Sequence, residues 1–339
     1  MSTTSDGDKP RILVARKIFP EGLARLEPVF DIDYNEADAI DAPETLRRKL
    51  IGKAGAIVTG SETIDSAALA VAKDLKIVAN MMVGFNNLNL KALSEAGVMA
   101  TNTPDVLTET TADLAFGLLL SAARRMAESE HWLRAGQWQK WSLDQWMGNE
   151  VYGTTLGVLG MGRIGQAIAR RALGFGMGIL YYKRNRLPSS IEAQFQARYV
   201  EMHELLRTVD HLIIVVPYTP ENHHLIGATE LAMMKPTATL VNIARGGIVD
   251  DEALADALRN KVIAAAGLDV FEGEPRVHPE LLRVPNVALT PHIGSASRAT
   301  RYAMMHLAID NLLAGLAGKT PPNLLNPAYR RFTASDQST

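Results

Sequence analysis

The chain has 339 residues, a formal net charge of −2 and no cysteine; this excludes disulfides, thiolate metal sites and thiol catalysis and leaves no basic face for nucleic acid. At about 100–200 residues per domain, the length predicts two domains. No apolar run reaches the roughly 18 residues that span a bilayer, so neither nucleic acid nor a membrane is an expected partner and the cytoplasm is the default compartment.

The first ten residues are polar, lack the apolar stretch of a signal peptide and read as a disordered tail. Short apolar strands follow at Arg11-Ile-Leu-Val-Ala15, Ala56-Ile-Val58, Ile77-Val-Ala79 and Val98-Met-Ala100, with helical stretches between them. That rhythm predicts a small α/β domain with a parallel sheet. Residues 108–125 then read as a long apolar helix. All four tryptophans, Trp132, Trp138, Trp141 and Trp146, come next, in a segment too irregular for core. Such clustering suits either a subunit interface, which buried aromatics anchor, or packing against the preceding helix.

The most informative stretch is residues 154–169, an apolar strand with Leu156, Val158 and Leu159 that runs through Gly160-x-Gly162-x-x-Gly165 into a helix bearing Ile164, Ala167, Ile168 and Ala172. With 26 glycines in the chain, about 0.15 GxGxxG matches arise by chance, so the strand–turn–helix setting carries the weight. A turn this tight presents backbone N–H groups and the positive helix end to a phosphate, because no Cβ blocks the approach. Folds of this kind that prefer NAD place an acid about 20 residues beyond the first glycine, on the ribose hydroxyls. Here the first acid after Gly160 is Glu192, and the second strand ends in Lys183-Arg184-Asn185-Arg186. A strongly positive turn at that place suits a 2′-phosphate. NADP(H) is therefore the preferred carrier, with NAD(H) admissible.

Further strands are expected over 212–216, 238–243, 264–269 and 287–290, and their carboxyl ends bring Pro217, Arg245, Asp269 and His292 to one crevice, where open α/β sheets bind ligands. A final helix over 297–317, stopped by Gly318, is expected to return to the first domain. The fold class is thus α/β, two Rossmann-like doubly wound parallel sheets, with a nucleotide domain (104–294) inserted into a substrate domain (1–103 and 295–339). Adjacent His223 and His224 have no third ligand at a recognised spacing, so no metal is expected. The histidines other than His292 read as surface or packing residues.

Four ordered motifs, Gly160-x-Gly162-x-x-Gly165, Val241-Asn-Ile-Ala-Arg245-Gly-Gly, Gly267-Leu-Asp269-Val-Phe-Glu-Gly-Glu274-Pro and Thr290-Pro-His292-Ile-Gly-Ser-Ala, together resemble the D-isomer-specific 2-hydroxyacid dehydrogenases over about residues 11–327. Tyr181-Tyr182-Lys183-Arg184-Asn185, Gln196-Ala-Arg-Tyr199 and the run from His292 to Tyr302 look like the glyoxylate/hydroxypyruvate reductases and 2-ketogluconate reductases of that family, which generally favour NADPH.

Hydride delivered to C2 of a 2-keto acid drives negative charge onto the carbonyl oxygen, which needs a proton donor and a fixed cation beside it. The resemblance implies that His292 donates the proton, Glu274 orients and charges that imidazole, and Arg245 grips the substrate with planar donors. It also implies a substrate cradle at the Val83 and Gly84 N–H groups. Asn86 and Asn89 stand in that loop where aspartates are common. For the cofactor it implies Asp269 on the nicotinamide carboxamide with Thr111 nearby, the Arg163-Ile164 backbone on the pyrophosphate, and Pro217 and Ala244 along the groove. Domain closure about 103–104 and 293–295 would exclude water. The expected partners are a small 2-keto acid and a second copy of the chain, met through residues 108–146. The rival readings are a cofactor-sensing binding protein like the corepressors that share this fold, and phosphoglycerate dehydrogenase. Formate dehydrogenase fits poorly, since Gln stands there in place of Glu274.

Overall fold

The computed structural model describes residues 9–330, so nearly all of the expected N-terminal tail lies outside the described residues. The chain divides into two compact units, residues 1–107 with 297–339, and residues 108–296.

The first unit holds β1 (Arg11–Val14), α1 (Pro20–Leu26), β2 (Asp31–Tyr34), α2 (Pro43–Leu50), β3 (Gly55–Val58), α3 (Ser66–Val71), β4 (Ile77–Asn80), α4 (Leu90–Glu95) and β5 (Met99–Thr101). All five strands are parallel, in the order β2-β1-β3-β4-β5. Parallel strands joined by crossover helices are covered on both faces, which is why β3 and β4 read as unbroken apolar runs and are buried throughout. Helices α3 and α4 begin at Asp65 and Asn89, whose side chains accept from Ala68 and Ala92 N–H and so satisfy donors that a helix start leaves without partners.

The second unit opens with α5 (Thr108–Ala123) and α6 (Met126–Arg134) and continues through β6 (Thr155–Leu159), α7 (Arg163–Gly174), β7 (Gly178–Tyr182), α8 (Ser189–Phe195), β8 (Ala197–Tyr199), α9 (Met202–Thr208), β9 (His211–Ile214), α10 (Ala228–Met233), β10 (Thr239–Asn242), α11 (Asp251–Arg259), β11 (Ala265–Leu268) and β12 (Val287–Leu289). Its seven parallel strands run β12-β11-β10-β9-β6-β7-β8. The order reverses beside β6, the place where such sheets hold ligands. Separate apolar clusters fill the two faces of this sheet, one around Leu212, Leu240 and Leu254 and the other around Leu119, Val158 and Ile168.

Helix α12 (Arg298–Leu316) belongs to the first unit. Its small residue Gly315 and the strand's Gly55 let it lie close on the sheet: a Cβ on Gly315 would stand 2.5 Å from Ile77, and one on Gly55 2.7 Å from Leu312. The helix ends as expected, with Gly318 at φ +72°. Two strands had no counterpart in the sequence reading, β2 and β8, and each is the edge of its sheet.

Candidate active site

The carboxyl end of β6 meets the amino end of α7 at the three glycines, and each does something different. Gly160 has φ +106°, a conformation that L side chains rarely adopt. A Cβ on Gly162 would meet nothing within 4 Å, whereas one on Gly165 would lie 2.2 Å from the Gly160 carbonyl oxygen. The first glycine permits the turn, the second leaves open space before the helix, and the third lets α7 approach β6. Gly162 is the N-cap of this 12-residue helix, and no side chain caps it. The first turn of α7, at Arg163 and Ile164, therefore offers main-chain N–H groups and the positive end of the dipole to an anion. These residues fit a dinucleotide pyrophosphate.

The turn after β7 departs from expectation. Arg186 is not free to oppose a phosphate: its Nε and Nη2 donate to both Glu192 oxygens at 2.8 Å. Glu192 also accepts 2.6 Å from the Tyr181 hydroxyl, which in turn accepts from Leu187 N–H. The Arg186 and Tyr181 hydrogen bonds hold the Glu192 carboxyl down at about 2. Burial, together with the bond to Glu192, pushes the Tyr181 phenol up to about 12. Chain distance hides this pairing, because α8 folds the acid back beneath the turn. The strongly positive turn is thus corrected to Lys183, half-buried, and Arg184, exposed, with Asn185 beside them.

At the carboxyl ends of β10, β11 and β12 the structure brings together Arg245, Glu274 and His292. His292 has φ +51°, a left-handed conformation, and its Nδ1 lies 2.8 Å from Glu274 Oε2. Among the described residues nothing meets its Nε2, so that nitrogen is available to a substrate. The other Glu274 oxygen accepts from Phe271 N–H at 2.9 Å. Burial pushes the Glu274 carboxyl up, but the hydrogen bond and charge of His292, the Phe271 N–H and the Arg245 charge outweigh it and leave the group below its ordinary value. Burial pushes the Arg245 guanidinium down, and the Glu274 charge acts against that shift. Its Nη1 donates to the Ala244 carbonyl at 2.7 Å, while Asn242 holds the Arg245 carbonyl from below.

Asp269 is 1% exposed. Its Oδ1 accepts from Thr290 Oγ1 and Ile293 N–H, both at 2.7 Å, and its Oδ2 from Gly294 N–H at 2.8 Å. One acid thereby fixes the loop on which His292 stands. A carboxylate has about four acceptor positions, so room for one further donor remains, on the Oδ2 side. Thr111 lies beside it: a Cβ on Gly294 would stand 3.1 Å from Asp269 Oδ2 and 3.5 Å from the Thr111 methyl. Pro217 follows the end of β9, on the same side of the sheet.

Val83 and Gly84 are in the first unit, in the loop after β4. Every carbonyl from Met82 to Phe85 is taken: by Thr103 N–H, Asn102 Nδ2, Asn80 Nδ2 and Leu88 N–H in turn. The N–H groups of Val83 and Gly84 have no partner among the described residues. The side chains of Asn80 and Asn102, which sequence reasoning did not single out, turn the loop's acceptors inward and leave its donors for an anion. Their signal was a pair of asparagines at or just past the ends of apolar strands. The tryptophans separate: Trp132 and Trp146 pack edge to face at 5.5 Å, while Trp138 and Trp141 are 57% and 73% exposed.

The sequence pattern of the NAD binding domain of D-isomer specific 2-hydroxyacid dehydrogenases matches residues 116–294. The chain is 46% identical over 322 residues to a glyoxylate reductase of Thermococcus onnurineus, covering 94% of this chain and 96% of that one. It is 44% identical to a glyoxylate reductase of Aeropyrum pernix, with the same coverage. Among solved structures, an NADPH-dependent glyoxylate/hydroxypyruvate reductase from Sinorhizobium meliloti, in complex with NADP and malonate, superimposes with a TM-score of 0.83 at 37% identity, over 94% of this chain and 97% of the other.

Proposed function

The chain belongs to the D-isomer specific 2-hydroxyacid dehydrogenases and is a nicotinamide-dependent dehydrogenase, and on that footing we propose that it reduces small 2-keto acids, glyoxylate and hydroxypyruvate first and 2-ketogluconate as a larger candidate, to D-2-hydroxy acids with NADPH as the preferred donor. The observation that carries this reading is the His292–Glu274 contact of 2.8 Å, with Nε2 of the same ring left for substrate.

When bound, a reduced nicotinamide would supply the hydride for C2 of the substrate. Asp269 and Thr111 would hold its carboxamide end and the α7 amino terminus its pyrophosphate, Pro217 and Ala244 would line its groove, and Lys183, Arg184 and Asn185 would receive the 2′-phosphate. Within the first unit, the Val83 and Gly84 N–H groups would take a carboxylate. Arg245 spans the carboxylate and the carbonyl oxygen with planar donors that Lys would not supply, and stabilises the charge that develops there. His292 gives its Nε2 proton to that oxygen, while the Glu274 carboxylate on Nδ1 orients the ring and compensates its charge. Hydride and proton together convert the C2 carbonyl into an alcohol, primary and achiral from glyoxylate, secondary and of D configuration from the larger keto acids, and His292 is left neutral until it takes a proton from water.

Trp138, Trp141 and Leu143 are large apolar side chains left exposed close together in the chain, where a subunit contact would cover them, and we assign a homodimer contact to residues 108–146. The test of the chemistry is His292→Gln. This variant should bind NADPH like the parent, measured by nucleotide fluorescence, and lose about 10²–10⁴-fold in turnover of glyoxylate, the usual worth of a positioned acid. Unchanged turnover would remove the proton-donor role. A parent protein that binds NADPH yet oxidises it with no 2-keto acid would be a sensing module instead.

A further inference from the structure

Apart from Glu274 and His292, a second group of ligating side chains converges where the chain enters α10. His223 and His224 are stacked, ring centroids 3.9 Å apart, and both present Nε2 to one carboxylate: His224 Nε2 is 2.9 Å from Glu272 Oε2, and His223 Nε2 is 3.8 Å from Glu272 Oε1. The third member is 48 residues further along the chain than the second, so spacing gave no hint of it.

We propose that His223, His224 and Glu272 form a binding site for a borderline divalent transition-metal ion of the zinc type, with water completing the coordination. Three observations of geometry support it. Ligand atoms around a tetrahedral zinc with bonds of about 2.0–2.1 Å sit roughly 3.3–3.4 Å apart, and the separations of 2.9 and 3.8 Å to Glu272 bracket that value. The other nitrogen of each ring faces a polar group: His223 Nδ1 is hydrogen-bonded to the Tyr218 hydroxyl at 3.3 Å, and His224 Nδ1 lies at ion-pair distance, 3.5 Å, from Asp250 Oδ2. A hydrogen-bonded Nδ1 that fixes the ring and leaves Nε2 for the ion is the usual support of a metal-ligating histidine.

The backbone is committed as well. His224 has φ +52°, an unfavoured conformation for a residue with a side chain, held by its N–H bond of 2.7 Å to the Gly247 carbonyl. Glu272 N–H is pinned to Asp251 Oδ2 at 3.0 Å. The three side chains are 36–43% exposed, so an ion reaches them from solvent without opening the fold. Two imidazoles and a single carboxylate favour zinc, cobalt or nickel over calcium and magnesium, which seek all-oxygen shells. Bound there, the ion would join the loop after β9 to the segment that leads into Glu274.

The experiment is equilibrium dialysis of chelator-treated, tag-free protein against zinc, with cobalt(II) absorption as a second readout. One equivalent of zinc is expected, with intensified visible cobalt bands and a raised melting temperature. His223→Gln and Glu272→Gln should each weaken zinc binding by more than tenfold, while His203→Gln, at a histidine outside the cluster, should leave it unchanged. Circular dichroism establishes that each variant is folded. Absence of stoichiometric zinc at micromolar concentration, or binding that survives both ligand substitutions, would overturn the proposal. Neither result bears on 2-keto acid reduction, which is assayed separately.

Discussion

Replacing Gly246 by Ala should disable the catalytic arrangement without touching any of its three side chains. A Cβ at this position would stand 1.8 Å from the Phe271 carbonyl oxygen, 2.1 Å from its carbon and 2.6 Å from Glu272 N. All three are backbone atoms, and the segment they belong to carries Glu274, while Gly246 follows Arg245 directly. Ordinary contact begins at 3.4 Å, so the two segments must part by about 3.4 − 1.8 = 1.6 Å. Misplacement of a catalytic group by about 1 Å costs on the order of 10²-fold in rate, at ~1.4 kcal/mol for each tenfold step. Gly246→Ala should therefore lose at least about a hundredfold in kcat with glyoxylate and NADPH, roughly 2.7 kcal/mol of transition-state stabilisation. NADPH binding should change little, because the glycine turn after β6 is untouched. Steady-state kinetics, with thermal unfolding to establish that the variant is folded, is the assay. A variant that turns over within twofold of the parent would mean that Arg245 and Glu274 need not be held by this backbone contact.

Two other consequences can be measured independently. Lys183→Ser and Arg184→Ser should each shift the NADPH-to-NADH preference by about tenfold or more, from the roughly 1.5–3 kcal/mol of a charge-assisted hydrogen bond. Arg186→Ser should leave the ratio unchanged, because that side chain is spent on Glu192; kcat/KM with both cofactors decides. Glu192→Gln tests the network beneath the same turn through acid unfolding. The Glu192 carboxyl is depressed from 4.5 to about 2, so its stabilisation is present above about pH 4.5 and lost as pH falls through 2. Denaturant midpoints of the parent should fall more steeply across that window than those of the variant, and equal slopes would refute the pairing.

What the sequence made legible follows from which faces are covered. Central strands such as β3, β4, β6 and β9 are buried on both sides of their sheets and read as apolar runs. The edges β2 and β8 are not: Asp31-Ile-Asp-Tyr34 alternates acids with apolar residues, and its side chains are all at least partly exposed. Nothing in such a stretch separates a strand from a polar connection until a neighbour pairs with it. The turn after β7 failed for a different reason. A charge count along the chain sums residues in order, whereas the field at the turn depends on Glu192, which a helix returns to within 2.8 Å of Arg186.

The candidate site divides along the same line. Arg245, Asp269 and His292 follow the ends of three adjacent parallel strands, and parallel strands deliver whatever follows them to one edge, so their convergence was readable from order alone, whereas Glu274 was reached through the family resemblance. Residues that act from beneath were not. Asn102 reaches the Val83 carbonyl across 19 residues, Glu272 reaches His224 across 48, and Gly246 matters only because Phe271 lies against it. None of these has a spacing that a local pattern would reveal, since each depends on how far two loops project past the sheet. In a parallel α/β unit the sheet therefore chooses which side chains meet, and the contacts between successive loops decide how closely. If that is right, substitutions at the contacts should change rate constants more than they change the fold, as Gly246→Ala is expected to do.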